Sequence, residues 1–186
     1  MTLIEFKTFL IKSNVEEHNT IKNKLLKLFE QNTETLVDRD KGQNDNIHSL
    51  DWKNSKDTSR EWVKFFYPIL HKKLIEMVKP SGLKDCTVYD VWFQQYKKDG
   101  THGWHTHGAN YTGVYYLNLH EDNPGTEILL PTDPSTKTTV KATEGDIIIF
   151  PSYFIHRSPI NKSDNLKTII SFNFDALNPI RKYVEN

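Results

Sequence analysis

Near residue 84 the chain changes its hydrophobic period, and that switch constrains the fold more than any other feature. Before it, Ile21, Leu25, Leu28 and Phe29 fall at i, i+4, i+7 and i+8 and gather onto one stripe of a helix through Lys22–Gln31. A capping-box pattern, Thr58-Ser59-Arg60-Glu61, opens a second helix whose apolar side holds Trp62, Phe65, Phe66, Ile69 and Leu70. Pro68 is a site for a kink and Pro80-Ser81-Gly82 a stop, while Gly42-Gln43-Asn44-Asp45-Asn46 reads as a polar loop. After residue 84, short runs of period two replace the helical pattern. Cys86–Tyr96 alternates along its whole length and closes at Lys97-Lys98-Asp99-Gly100. Further strands are expected at Thr112–Leu119, Glu127–Leu130, Thr138–Lys141, Asp146–Phe150 and Lys167–Asp175. Strands this short and closely spaced, following helices, predict an α+β fold: a double-stranded β-helix, or jelly roll, packed against amino-terminal helices.

With 186 residues the chain is long enough for one sizeable core, so residues 1–186 are expected to form a single domain. Residues 1–83 would supply helical support and 84–178 the jelly roll. The formal charge is zero, 24 Lys and Arg against 24 Asp and Glu, which argues against a nucleic-acid partner. Cys86 is the single cysteine, so an internal disulfide and a Cys-based metal cluster are excluded. The amino terminus carries charge too early for a signal-peptide core, and no stretch approaches a membrane span. A soluble protein of the reducing cytoplasm is the expectation.

The residues that carry chemistry are histidines. In an extended strand, side chains two apart share a face, so His105 and His107 could reach one metal ion. A third ligand must come from elsewhere in the fold. His156 is suited to the role, because the apolar run Asp146–Phe150 reads as a buried strand that delivers the following residues to a rim. Imidazole suits iron, zinc, copper or nickel, so the triad by itself does not select the metal. His102, three residues before His105, would face the other way in a regular strand and stays outside the set. His18, His48, His71 and His120 have no partner pattern and read as surface residues. Cys86 reads as a small buried apolar residue.

From Trp92 to Phe174 the chain resembles the iron(II)- and 2-oxoglutarate-dependent oxygenases, most closely their prolyl-hydroxylase-like branch. The matching pieces run in order: Gln95-Tyr96, the motif at His105, Gly113-Val114-Tyr115-Tyr116-Leu117-Asn118 and Pro124-Gly125-Thr126-Glu127-Ile128. Then come Glu144-Gly145-Asp146-Ile147-Ile148-Ile149-Phe150-Pro151, His156 and Leu166–Phe174. The resemblance implies His105 and His156 as iron ligands. The family has an acidic residue two after its first histidine; here that position is His107, which completes the expected metal set, with Glu127 the acidic alternative. The resemblance further implies that Lys167, eleven beyond His156, binds the far carboxylate of 2-oxoglutarate. Tyr116 would share that carboxylate, and Tyr96 would lie near the metal end of the co-substrate. Asn173 shares strand parity with Lys167 and is expected in the same pocket.

The activity implied is hydroxylation of a peptide side chain or small molecule, with release of succinate and carbon dioxide. Two alternatives remain at this point. One is a cupin-like dioxygenase that uses three histidines and no 2-oxoglutarate. The other is a non-catalytic jelly-roll binding module.

Overall fold

The computed structural model describes residues 8–31 and 45–177. The elements, in chain order, are β1 (Ile11–Asn14), α1 (His18–Gln31), β2 (Ser49–Leu50), α2 (Glu61–Val78), β3 (Asp85–Tyr96), β4 (His102–His105) and β5 (Tyr111–Asn118). They continue with β6 (Glu127–Leu130), β7 (Asp133–Thr139), β8 (Asp146–Pro151), β9 (His156–Ser158) and β10 (Lys167–Leu177). Two antiparallel sheets result, a major one ordered β1-β8-β5-β10-β3-β2 and a minor one ordered β4-β9-β6-β7. This is the expected jelly-roll arrangement with helices on one face.

Three layers explain why β8 reads as an unbroken apolar run. Ile147 and Ile149 point to the helix side, where they meet Leu25, Phe29, Trp62 and Phe66. Ile148 and Phe150 point the other way, into a second core between the sheets with Val114, Tyr116, Ile128 and Ile169. A strand covered on both faces cannot alternate with polar residues, because each would be buried without a partner. Fully burying each such side chain contributes about 1.5–3 kcal/mol. Gly113, on β5, is required by this closeness: a Cβ there would stand 2.4 Å from the Phe172 ring and 2.6 Å from the Ile148 carbonyl.

The helices differ from the sequence reading in two places. Helix α1 begins at His18, four residues before the expected start, and its first turn carries His18 into the interior. There His18 Nδ1 shares a 2.7 Å hydrogen bond with the Tyr115 hydroxyl, so it is not a surface residue. At α2, the capping box does not form: Arg60 is the N-cap residue and makes no side-chain cap. Its guanidinium is drawn instead to buried Asp51, which also accepts hydrogen bonds from Trp62 Nε1 (3.0 Å) and Phe93 N (2.8 Å). The helix thus has its N-cap two residues after Thr58, at an arginine fixed by a tertiary ion pair. Pro68 lies within α2 without ending it, and a 3₁₀ turn at Lys79–Ser81 followed by Gly82 (φ 77°) terminates the helix.

Among the strands, the run expected at Thr138–Lys141 is the fully exposed β7, Asp133–Thr139, whose register is set by pairing with β6. Strands β1, β2, β4 and β9 carry two to four residues each, too few for a period to register. Most of the loop expected around Gly42 lies outside the described residues. Asn46 is within them and bridges to Thr101.

Candidate metal centre and its pocket

The strand pair β4–β9 builds the centre by setting His105 directly opposite His156 in register. His107 follows just after β4 and is held by its backbone N–H, which donates to the Ser152 carbonyl at 3.1 Å. Ring centroids are 4.3 Å apart for His105 and His156, 4.9 Å for His105 and His107, and 5.1 Å for His107 and His156. One nitrogen from each of the three lies within 4.8 Å of the others, so a single ion can bind all three.

Hydrogen bonds orient two of these imidazoles. His105 Nδ1 donates to the Gly103 carbonyl at 2.7 Å, and His156 Nδ1 donates to the Phe154 carbonyl at 2.8 Å. Each bond reaches two residues back along the chain and leaves Nε2 unprotonated, with its lone pair free for a metal. Burial adds to this. It holds the imidazole of His107 down to about 4 and pushes His156 well below its ordinary value, so the set is neutral at neutral pH. Metal ligation requires that state. The residues present therefore fit a transition-metal ion.

The fourth histidine was not expected. His102 stacks on His105 with centroids 4.0 Å apart and lines the same pocket. The strand parity that placed it on the opposite face fails because the β4–β9 register shifts between His102 and His105. Burial lowers His102 to about 3. Glu127, the acidic alternative, is committed elsewhere: it accepts Arg157 Nε at 2.6 Å and faces Lys137 Nζ at 3.5 Å.

Along β9 from the triad, the pocket runs past Ser158 toward Lys167, which is 1% exposed. Lys167 Nζ donates to the Pro124 carbonyl at 2.7 Å and to Ser158 Oγ at 3.0 Å, and lies 5.4 Å from the centroid of the Tyr96 ring. Among the described residues no carboxylate pairs with it. Burial alone pulls its ammonium down to about 7, so a neighbouring anion would be needed to keep the amine protonated. Ser158 lies two residues beyond His156 on the same strand face, a separation of about 7 Å. An extended five-carbon diacid spans about 5 Å between its terminal carbons, so it can reach from the triad to the ammonium. The free space at the pocket centre is about 20 Å³, little more than one water. The pocket would have to widen to admit such an acid.

The two tyrosines differ. Tyr96 lines the pocket, and its hydroxyl donates to Gln94 Oε1 at 3.0 Å. Tyr116 lies one layer behind, its hydroxyl 2.7 Å from Thr126 Oγ1 while accepting the Thr126 N–H at 3.2 Å. Asn173 does share the Lys167 face, but six residues along β10, about 20 Å. Its Nδ2 donates to Asp90 Oδ2 at 3.3 Å in a separate groove, and its Oδ1 is buried without a partner. At the mouth, Arg157 lies over Trp104, 4.5 Å from the ring centroid.

No family model matches the chain, and no curated protein matches it. Solved structures do. A viral collagen prolyl hydroxylase from Paramecium bursaria Chlorella virus-1, in complex with 2-oxoglutarate, is 18% identical; the match covers 89% of this chain and 95% of that one, with a TM-score of 0.66. The fold is that of the 2-oxoglutarate–iron(II) oxygenases. A prolyl-4-hydroxylase of Pseudomonas putida is 13% identical over 90% of this chain and 92% of its own, with a TM-score of 0.63. The α-ketoglutarate-dependent carbocyclase SnoK from nogalamycin biosynthesis is 9% identical over 90% and 79%, with a TM-score of 0.62. One fold thus carries different chemistries, and the site rather than the fold must argue the function.

Proposed function

We propose that the chain is a single oxygenase domain that uses iron(II) and 2-oxoglutarate to hydroxylate a peptide side chain or small molecule. The observation that carries this reading is Lys167, a fully buried amine with no carboxylate partner among the described residues, hydrogen-bonded to Ser158, two residues along β9 from His156 of the triad. His105, His107 and His156 would hold iron. Lys167 and Ser158 would receive the distal carboxylate of the co-substrate, with Tyr96 walling the pocket and Tyr116 supporting that wall through Thr126. Asn173 would act outside this pocket, in the groove beside Asp90. Iron(II) and 2-oxoglutarate, with dioxygen as the oxidant, would supply oxidative decarboxylation to succinate and carbon dioxide coupled to hydroxylation of a substrate C–H bond, one oxygen atom going to succinate and the other to the product. The protein's own contribution is positional: Nδ1–H bonds fix the imidazole rings, the ammonium orients the diacid, and the closely packed second core keeps water from the co-substrate end.

Three imidazoles in place of two and a carboxylate favour one rival, a dioxygenase needing no 2-oxoglutarate. Anaerobic titration with iron(II) and then 2-oxoglutarate decides between them, through the visible charge-transfer band of keto-acid chelated to iron. A band that His156→Ala abolishes and Lys167→Ala weakens is expected. Bound iron without a band would favour the three-histidine dioxygenase, and no iron binding would leave a non-catalytic module. The neutral overall charge and the one free thiol, Cys86, suit a cytoplasmic setting; among the described residues no helix is long and apolar enough to cross a membrane.

A further inference from the structure

The inner ligand set holds three neutral imidazoles and no carboxylate, yet a carboxylate stands immediately behind it. Asp45 Oδ1 accepts the backbone N–H of Gly103 at 2.7 Å, and the carbonyl of that same Gly103 accepts the Nδ1–H of His105 at 2.7 Å. The other oxygen, Oδ2, faces His102 Nε2 at 3.7 Å, and His102 stacks on the His105 ring at 4.0 Å. His105 is thus gripped at its edge through Gly103 and on its face by His102, and both contacts trace back to Asp45.

The tautomers are consistent with this arrangement. Gln94 Oε1 accepts the Tyr96 hydroxyl at 3.0 Å, which directs Gln94 Nε2 toward His102 Nδ1 at 3.4 Å. Nδ1 of His102 then accepts, and its proton sits on Nε2, the nitrogen that faces Asp45. Asp45 is itself anchored. Asn46 exchanges two backbone hydrogen bonds with Thr101, at 2.9 and 3.0 Å, and its side chain donates to the Asp99 carbonyl at 3.0 Å.

We propose that Asp45 and His102 form an outer bracket that positions His105, and that Asp45 supplies from behind the ligands the negative charge the inner set lacks. Both are positioning residues acting through His105, and the inference rests on His105 being a metal ligand. Groups that orient ligating histidines in this way typically change metal affinity about 10- to 100-fold.

Cobalt(II) affinity, measured by chelator competition, and the cobalt d–d spectrum test the bracket, with thermal melting of each apoprotein as the check on folding. Asp45→Ala removes both the charge and the acceptor, and affinity should fall about 10- to 100-fold with a changed spectrum. Asp45→Asn keeps an oxygen for the Gly103 N–H while losing the charge, so it should bind cobalt more weakly than wild type but more tightly than Asp45→Ala. Asp164→Asn, at the exposed partner of Lys98, should bind as wild type does. Wild-type affinity and spectrum in Asp45→Ala would overturn the proposal. Wild-type affinity in Asp45→Asn with weakened Asp45→Ala would overturn its charge component. Should Asp45→Ala fail to fold, His102→Ala, which removes the contact on the face of the His105 ring, decides in its place, and wild-type cobalt affinity and spectrum in that variant would overturn the bracket. A wild-type protein that binds no cobalt would instead end the metal-centre reading itself.

Discussion

Replacing Lys167 with Met tests the co-substrate pocket through a proton as well as an affinity. In the unfolded chain this ammonium has its ordinary value of 10.5, and in the folded protein burial brings it to about 7. The difference corresponds to on the order of 5 kcal/mol. Because the folded value is depressed, the unfolded state holds the proton between pH 7 and 10.5 while the folded state releases it. Lys167 without an anion therefore adds stability as pH rises through that window, most clearly between pH 7 and 9, because above pH 9 the buried Cys86 thiol, raised to about 11, acts in the opposite sense; below pH 7 the full cost of the buried charge is present. A carboxylate arriving beside Nζ reverses the shift. At pH 8 most molecules of the free protein have released the Lys167 proton, so diacid binding should take up the larger part of one proton.

Titration calorimetry of iron(II)-loaded protein with 2-oxoglutarate, without oxygen, reads this uptake from the dependence of the observed heat on the ionisation enthalpy of the buffer. Preloaded metal keeps the ligand histidines from contributing. Lys167→Met should abolish the uptake and weaken binding between about 100-fold and a few thousand-fold, since removing one partner of a buried ion pair costs about 3–5 kcal/mol. The apoprotein of this variant should lack the Lys167-linked rise in stability between pH 7 and 9. Tight binding by wild type with no proton uptake, or equal affinity in Lys167→Met, would refute the assignment of Lys167.

Other expectations follow from the same geometry. His105→Ala and His156→Ala should each abolish stoichiometric iron binding by equilibrium dialysis, whereas His107→Asp should retain the metal by placing a carboxylate at that position. Apoprotein melting temperature should fall as pH drops from 6.5 toward 4, because burial holds His102 near 3 and His107 near 4 while their unfolded counterparts take up protons at 6.5. Saturating zinc or cobalt should move that loss to lower pH. Gly113→Ala should destabilise the protein by about 1–3 kcal/mol in denaturant unfolding, since the new methyl meets the Phe172 ring and the Ile148 carbonyl of the next strand.

The parts of this molecule legible in the sequence are those where one-dimensional spacing maps directly onto the fold. The period-two run through β3 and the unbroken apolar run of β8 correspond to strands covered on one or both faces, and the spacing of His105, His107 and His156 survives because β4 and β9 meet at His105 and His156. Misreadings arise where a tertiary partner overrides a local rule. Helix α2 has its N-cap at Arg60, paired with Asp51, rather than at Thr58, β6 sets the extent of β7, and the register shift in β4 turns His102 onto the ring it was expected to face away from. Asp45 belongs with the last of these. Nothing local marks it, because its two partners lie 57 and 58 positions further along the chain and are reached only after Asn46 has paired with Thr101. A metal ligand must sit at a definite spacing, and spacing can be read from a sequence. The residue that orients a ligand needs only to arrive from somewhere in the fold, so supporting groups such as Asp45 and His102 emerge only once the chain is folded.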